Sequence, residues 1–287
     1  MTLTQDYTYQ FTDTGIILNT DAVPTSPFVD VLKVSGLDSA PIRESDRVRE
    51  GMDGGFMDSQ YEDMRLIVIE GTIYSPPSQI ETFLDSLKGN FSPSVLNQSF
   101  YFQHPSVGVR TIFAKSLGVR YDVEVLRRTG MTSFQIQLKA EDPSIYGAQL
   151  VVPGGLAGAS SGRGYNRSYN YGYGVTSGSA GTLVCNNTGN KPTKAIFHLT
   201  NVINPIIISD TTNNSLSFSI SIQGSDFLDV DLRNRTVILN GTANRRNTLL
   251  GGSRWFLLQP GINNIRLLGT AGAGTPALTA TFRPAYR

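Results

Sequence analysis

The sequence predicts a mainly β protein: an N-terminal β-rich barrel or sandwich domain with one helix, then a C-terminal β-sandwich of jelly-roll type. Three observations carry this. Charged residues are only 16% of the 287, against 39% hydrophobic and 29 Gly, a balance that favours short strands joined by many turns. Strand-like runs bounded by Gly, Pro, Asn and Asp recur at roughly ten-residue spacing through the second half. Only one stretch has a helical period. A change of composition places the domains at 1–150 and 183–287, with 151–182 between them as a Gly/Tyr-rich linker or arm.

In order, Gly15-Ile16-Ile17-Leu18 is a short apolar run. Val29 and Val31, then Val34 past a switch at Leu32-Lys33, predict a strand that ends at Gly36-Leu37-Asp38. The next 24 residues, PIRESDRVREGMDGGFMDSQYEDM, mix both charges around Gly51, Gly54 and Gly55. Within one chain they form a long exposed hairpin or loop, and long loops in compact domains tend to be functional. An arm that meets a neighbouring subunit makes sense of them. Its candidate contact residues are Arg43, Arg47, Arg49, Asp53, Phe56 and Tyr61.

Arg65 to Ile73 is nearly continuous in apolar residues and predicts a strand covered on both faces. The helix spans about 76–88. Ile80, Phe83, Leu84 and Leu87 fall on one stripe, expected to pack on the domain's own sheet. Ser78 with Glu81 suits a capping box, Ser75-Pro76 a competing start, and Gly89 a C-terminal stop. Strands follow at Phe100 to Phe102, Val109 to Leu117 and Val119 to Leu126. In the last strand, Met131 to Ala140, Phe134, Ile136 and Leu138 alternate with Gln135, Gln137 and Lys139, as a half-exposed antiparallel strand does.

From Pro153 to Thr182 the chain carries nine Gly and four Tyr, too little apolar surface to fold alone. Tyr165, Tyr169, Tyr171 and Tyr173 nonetheless suit contact with a surface, hydroxyls wet. About eight strands follow, at Lys194 to Ile203, Pro205 to Ser209, Ser215 to Ile222, four within Gln223 to Leu268, and Ala277 to Phe282. In the Gln223 to Leu268 block, Phe227 to Leu232 turns at Arg233-Asn234 into Thr236 to Leu239. Asn240-Gly241 then suits positive φ, and Trp255 to Leu258 runs into the turn Gln259-Pro260-Gly261.

The net charge of +1 gives no global field toward nucleic acid or membrane, and no apolar run approaches the length of a membrane span. MTLTQDYTYQF has neither a basic nor an apolar leader region, so a soluble protein made in a reducing compartment is expected. Cys185, the one cysteine, sits in an apolar run and reads as a small buried residue.

Chemistry is hard to place. His104 and His198 fall in different domains, no Ser-His-Asp or Cys-His set can be assembled, and no His-x-x-x-His occurs. Asp229 and Asp231 share a strand face and, with Asp226, are the best acidic cluster for Ca²⁺, but no EF-hand pattern surrounds them. Glu62-Asp63 and Glu141-Asp142 are sequence neighbours, which a strand points to opposite faces. GTAGAGTP at 269–276 lacks the Gly-Lys-Ser/Thr of a phosphate loop, and Arg245-Arg246 reads as a solvated loop. No catalytic, cofactor or metal site is assigned.

The order of these pieces resembles the distal tail proteins of long-tailed bacteriophages. The N-terminal half carries VSGLDSAP from Val34, MDGG from Met52, IVIEGTI from Ile67, a helix, and FQIQLKAEDPSIYG from Phe134. The second half carries NTGNKP from Asn187, Asn204-Pro205, DVDLRNRTVILNG from Asp229, and Trp255-Phe256 with LQPGINNI, which resemble that family's galectin-like domain. The resemblance implies a structural protein of the tail tip, in the virion and assembled in the host bacterial cytoplasm. It implies a homo-hexameric ring of N-terminal domains between the last ring of tail tube protein and a tail-associated hub protein. DNA would pass through its channel without specific binding, and nothing inserts in a membrane. The galectin-like domains would project outward as the place for receptor-binding proteins or side fibres. Galectins hold sugar with a His, Asn, Arg, Trp and Glu set. Here Trp255 lies in WFLL, in a core or half-core position with no Glu after it, so the fold is expected without the lectin site. The competing readings are a carbohydrate-binding module for host attachment and, last, a hydrolase on a β-sandwich.

Overall fold

The alternation from Met131 to Ala140 becomes the middle of a β-barrel, because one side of that strand must leave water and the other need not. The computed structural model describes residues 3–20, 27–44, 46–57, 59–155 and 182–287. The chain divides into two compact units, Met1–Gly147 with Arg287, and Ala148–Tyr286. Both are mainly β.

The first unit runs β1 (Tyr9–Phe11), β2 (Ile17–Leu18), β3 (Phe28–Ser35), β4 (Ile42–Arg43), β5 (Arg47–Val48), β6 (Gly55–Phe56), β7 (Tyr61–Glu62), β8 (Arg65–Tyr74), α1 (Ile80–Asn90), β9 (Gln98–His104), β10 (Gly108–Tyr121), α2 (Val123–Thr129), β11 (Met131–Ala140) and β12 (Ile145–Tyr146). Its main sheet has the order β2-β1-β9-β10-β11-β8-β3. The two end strands then meet. The Asn19 N–H donates to Val29 O at 2.8 Å, and its Oδ1 accepts from the Val31 N–H. Its Nδ2 donates to Tyr7 O at 2.8 Å. Asn19 does this from the left-handed region, φ 63°, where Asn is among the few tolerated side chains. The interior is filled by Phe100, Ile112, Ile136, Ile67 and their neighbours. Gly71 sits where a Cβ would fall 2.0 Å from Asp30 O, so the close approach of β3 to β8 requires glycine.

Arg65 is buried at the start of β8. Its Nε donates to Pro143 O and its Nη1 to Gly36 O and Asp38 O, tying the loop after β3 and the loop after β11 to one guanidinium. Burial lowers its pKa, opposed by the fields of Glu62 and Asp38.

Several expectations need correction. The sequence Val119 to Leu126 is not a strand. β10 continues to Tyr121 through an irregularity between Ser116 and Val119, and α2 follows. The Asp122 side chain caps the Glu124 and Val125 N–H groups, and Gly130, φ 72°, ends the helix. At α1 a 3₁₀ turn, Pro77–Gln79, replaces the capping box, and no side chain caps the N-terminus. Glu81 instead pairs with Arg127, and Gly89 lies inside the helix. The stripe itself is buried at Ile80, Leu84 and Leu87, and Phe91 beyond it stacks on Phe11 of β1. β8 is covered on one face only: Leu66 is exposed, and the even positions beyond it are half-buried.

The second unit runs β13 (Leu150–Gly155), β14 (Thr182–Asn187), β15 (Ala195–Thr200), β16 (Val202–Ser209), β17 (Asn214–Ser217), β18 (Phe227–Asp231), β19 (Thr236–Leu239), β20 (Ala243–Asn244), β21 (Gly261–Ala271) and β22 (Ala277–Phe282). A six-stranded sheet, β13-β22-β15-β18-β19-β20, faces a four-stranded one, β14-β21-β16-β17, across one apolar core. The stretch assigned to a linker thus begins with a strand, since β13 pairs with β22 over its whole length. The sequence Trp255 to Leu258 is irregular rather than a strand, held by a single bridge from Leu258 to Thr193, although Phe256 and Leu258 are buried. Ser215 to Ile222 is strand only to Ser217. The turn chemistry holds: Asn240 and Gly241 have φ 51° and 72°, and Gly261 has φ 89°. Asn263, fully buried, donates to Gln259 O and Gly261 O and accepts from the Gln259 N–H, so the turn is stapled from within. Among the described residues no helix is long and apolar enough to cross a membrane.

Two outcomes test this architecture. Asn19→Ala loses the side-chain closure and strains the left-handed backbone, and should cost about 2 kcal/mol in urea unfolding, with Asn19→Gly costing less. Cys185 is fully buried, and burial pushes its thiol up to about 11. It should therefore stay unreactive toward a disulfide reagent at pH 8 until the protein is denatured.

Candidate functional site

The charge-rich stretch folds as a two-stage β-ribbon. At its base β4 pairs with β7, Ile42 opposite Glu62 and Arg43 opposite Tyr61. Further out β5 pairs with β6, Arg47 opposite Phe56 and Val48 opposite Gly55. The tip is a turn in which the Arg49 N–H donates to Gly54 O. The Arg49 guanidinium lies 4.5 Å from the centroid of the Phe56 ring, a cation–π contact that aligns tip and strand. Gln60 Nε2 donates to Glu44 Oε1 at 2.8 Å and braces the segment between the stages.

The ribbon therefore brings Arg43, Arg47, Arg49, Asp53, Phe56 and Tyr61 onto one element. It also carries apolar residues that the sequence reading missed: Val48 is 85% exposed, and Met52 and Met57 are each 73% exposed. With Ile42, Phe56 and Tyr61 they make a ribbon with almost no buried side chain and a large apolar share. The signal lay in plain view, since apolar residues at the ends and tip of a charged hairpin have no core to reach. Tyr165, Tyr169, Tyr171 and Tyr173 lie outside the described residues.

On the second unit, the outer face of the six-stranded sheet forms an open groove of about 700 Å³. Its lining includes Ile196, His198, Asp229, Asp231, Asn234, Thr236, Ile238, Thr279 and Thr281. Strand pairing sets His198 opposite Asp229, and His198 Nδ1 hydrogen-bonds Asp229 Oδ1 at 2.7 Å. The ring of Phe227 packs 5.0 Å from the imidazole. His198, 43% exposed at its side chain, is thus an oriented surface residue. His104 sits in the other unit among Tyr7, Tyr9 and Phe102.

The carboxylates of the acidic cluster already have partners. Asp231 accepts from the backbone N–H groups of Arg233 and Asn234 and from the Asn234 side chain, which shapes the β18–β19 turn. Asp226 accepts from Asn240 Nδ2. Among the described residues no cluster of His, Cys, Asp and Glu is arranged to hold a metal ion. Glu141 binds Lys115 Nζ and Asn97, while Asp142 accepts from the Ser144 N–H and the Tyr146 hydroxyl. Trp255 is half-buried against the core, the position expected from WFLL.

Comparison with known proteins gives these features a context. Residues 188–286 match the family described as "Siphovirus-type tail component, C-terminal domain". The fold of the whole chain is similar to the Dit protein of phage SPP1, described as a paradigm of the hub adsorption apparatus in phages infecting Gram-positive hosts. The TM-score is 0.65 at 13% identity, over 96% of this chain and 98% of that one. It is also similar to a chain of the phage P2 baseplate in its activated conformation with Ca, TM-score 0.52 at 10% identity, over 97% and 98%. The corresponding structure with Sr gives 0.51 at 10% identity and the same coverage. No curated protein matches the sequence. The resemblance read from the sequence thus holds, with a tail-component domain at 188–286 and a Dit-like fold over nearly the whole chain.

Proposed function

We propose that this Dit-like chain is a structural protein of a phage tail tip, forming a hexameric ring that joins the tail tube protein to a tail-associated hub protein. The ring is built from the N-terminal domain, residues 1–150, and leaves a channel that DNA crosses without specific binding. The galectin-like domain, 183–287, carries receptor-binding protein or side fibres. The chain is assembled in the host cytoplasm, performs no catalysis and ends in the virion.

The observation that supports this best is the ribbon from Ile42 to Glu62. A monomer gains nothing from Val48, Met52, Phe56 and Met57 in water, whereas an interface buries them with Arg43, Arg47, Arg49, Asp53 and Tyr61 around them. A heterologous contact of this kind closes into a ring when its rotation divides the circle. Light scattering with negative-stain imaging of the purified chain should find rings of six. Phe56→Asp or Met57→Asp should abolish them while moving the melting temperature by less than about 2 °C, since both residues are exposed. A chain that stays monomeric, alone and on addition of tail tubes, would overturn the reading.

A carbohydrate-binding module is the second reading, favoured by the His198 groove, where hydroxyls of Thr236, Thr279 and Thr281 surround Ile196 and Ile238. If it operates, the protein is retained on immobilised cell-wall glycan, and His198→Ala releases it. Passage of the unmodified protein straight through such a column removes this reading.

A further inference from the structure

A ring of identical chains needs two different surfaces, and the ribbon supplies only one. The barrel seam supplies a second. β2 is two residues long and β3 eight, so closure rests on Asn19 meeting Val29 and Val31. β3 is the last strand on its sheet path, and among the described residues nothing pairs with its open side past Asn19. The register shifts between Val31 and Lys33, and Leu32 turns outward, 74% exposed. Facing it, Tyr7 holds φ 58° with its ring more than half exposed. Between these residues lies a groove of about 290 Å³, lined also by Tyr9, Lys33 and Val34. Among the described residues Lys33 has no carboxylate partner. Among the described residues no acidic one lines the groove.

The ribbon tip is the complement. Met52 projects from it between Glu50 and Asp53, all three exposed. Neither acid has a cation partner among the described residues. A methionine is an adaptable apolar plug for an irregular slot, and flanking carboxylates suit a slot that carries a lysine.

We propose that the ribbon tip of one copy seats in the barrel-seam groove of the next, Met52 against Tyr7 and Leu32, with Glu50 and Asp53 facing Lys33. This rests on the ring reading and names its missing surface. The contact is head to tail, because plug and slot are different parts of the chain.

Cysteine cross-linking of the full chain tests it. Cys185 is buried and inert, so a Leu32→Cys, Met52→Cys chain reports only its engineered pair, and both positions are exposed. On oxidation a non-reducing gel should show a ladder reaching six chains, while either single substitution stops at two. Lys33→Glu should abolish ring formation, and Glu50→Lys with Asp53→Lys in the same chain should restore it. Rings of six without a Leu32–Met52 cross-link would overturn this seating and leave the ring reading standing. A cross-link that stops at two chains would overturn the head-to-tail contact. A chain that gives neither rings nor cross-links, alone and on addition of tail tubes, would overturn both readings.

Discussion

The N-terminal unit depends on one asparagine. The seven-strand path of its sheet leaves two open edges, and open edges invite uncontrolled pairing. β2 is too short to satisfy β3 by backbone pairing alone. Asn19 extends it by one residue of left-handed backbone and substitutes a side-chain amide for the next rung of the ladder. The closure is local, and it covers β3 only as far as Val31. Among the described residues the remainder of that strand is left open by the same arrangement that completes the barrel, so stability and an available surface have one origin.

Much of the fold was legible because it follows from periodicity and turn chemistry. Phe134, Ile136 and Leu138 alternate because one side of β11 is interior, and Asn240-Gly241 and Gly261 mark backbone that other residues resist. What was not legible was decided by distant partners. Tyr9, Gln10 and Phe11 are all buried, so the polar Gln10 lies as deep as its aromatic neighbours, which the alternation of residue types does not foretell. Glu81 left its capping role for Arg127, forty-six residues on. The sequence Val119 to Leu126 contains three valines, a strand-like composition, yet Asp122 and Gly130 bracket a helix that begins inside it. There the local cap outweighed β-propensity, and the capping residues were visible in the sequence.

The candidate surfaces were half legible. The charged residues of the ribbon stood out as a long insertion, but their pairing into two ladders, and the apolar residues among them, needed the structure. The acidic cluster looked available for a ligand in one dimension. In three, Asp226, Asp229 and Asp231 each hold a turn or a neighbouring side chain. Each of these carboxylates is occupied in shaping the sandwich or holding a neighbour.

The ribbon is divided. Its two ladders are each only two residue pairs long and belong to separate sheets. A stiff lever of the same length would magnify any angular error at its root into a misplacement at its tip. In the proposed ring such errors would add from copy to copy, so the last gap is where assembly would fail. A lever broken into two short segments takes up the misfit a little at each stage, and the circle can close without demanding perfect parts.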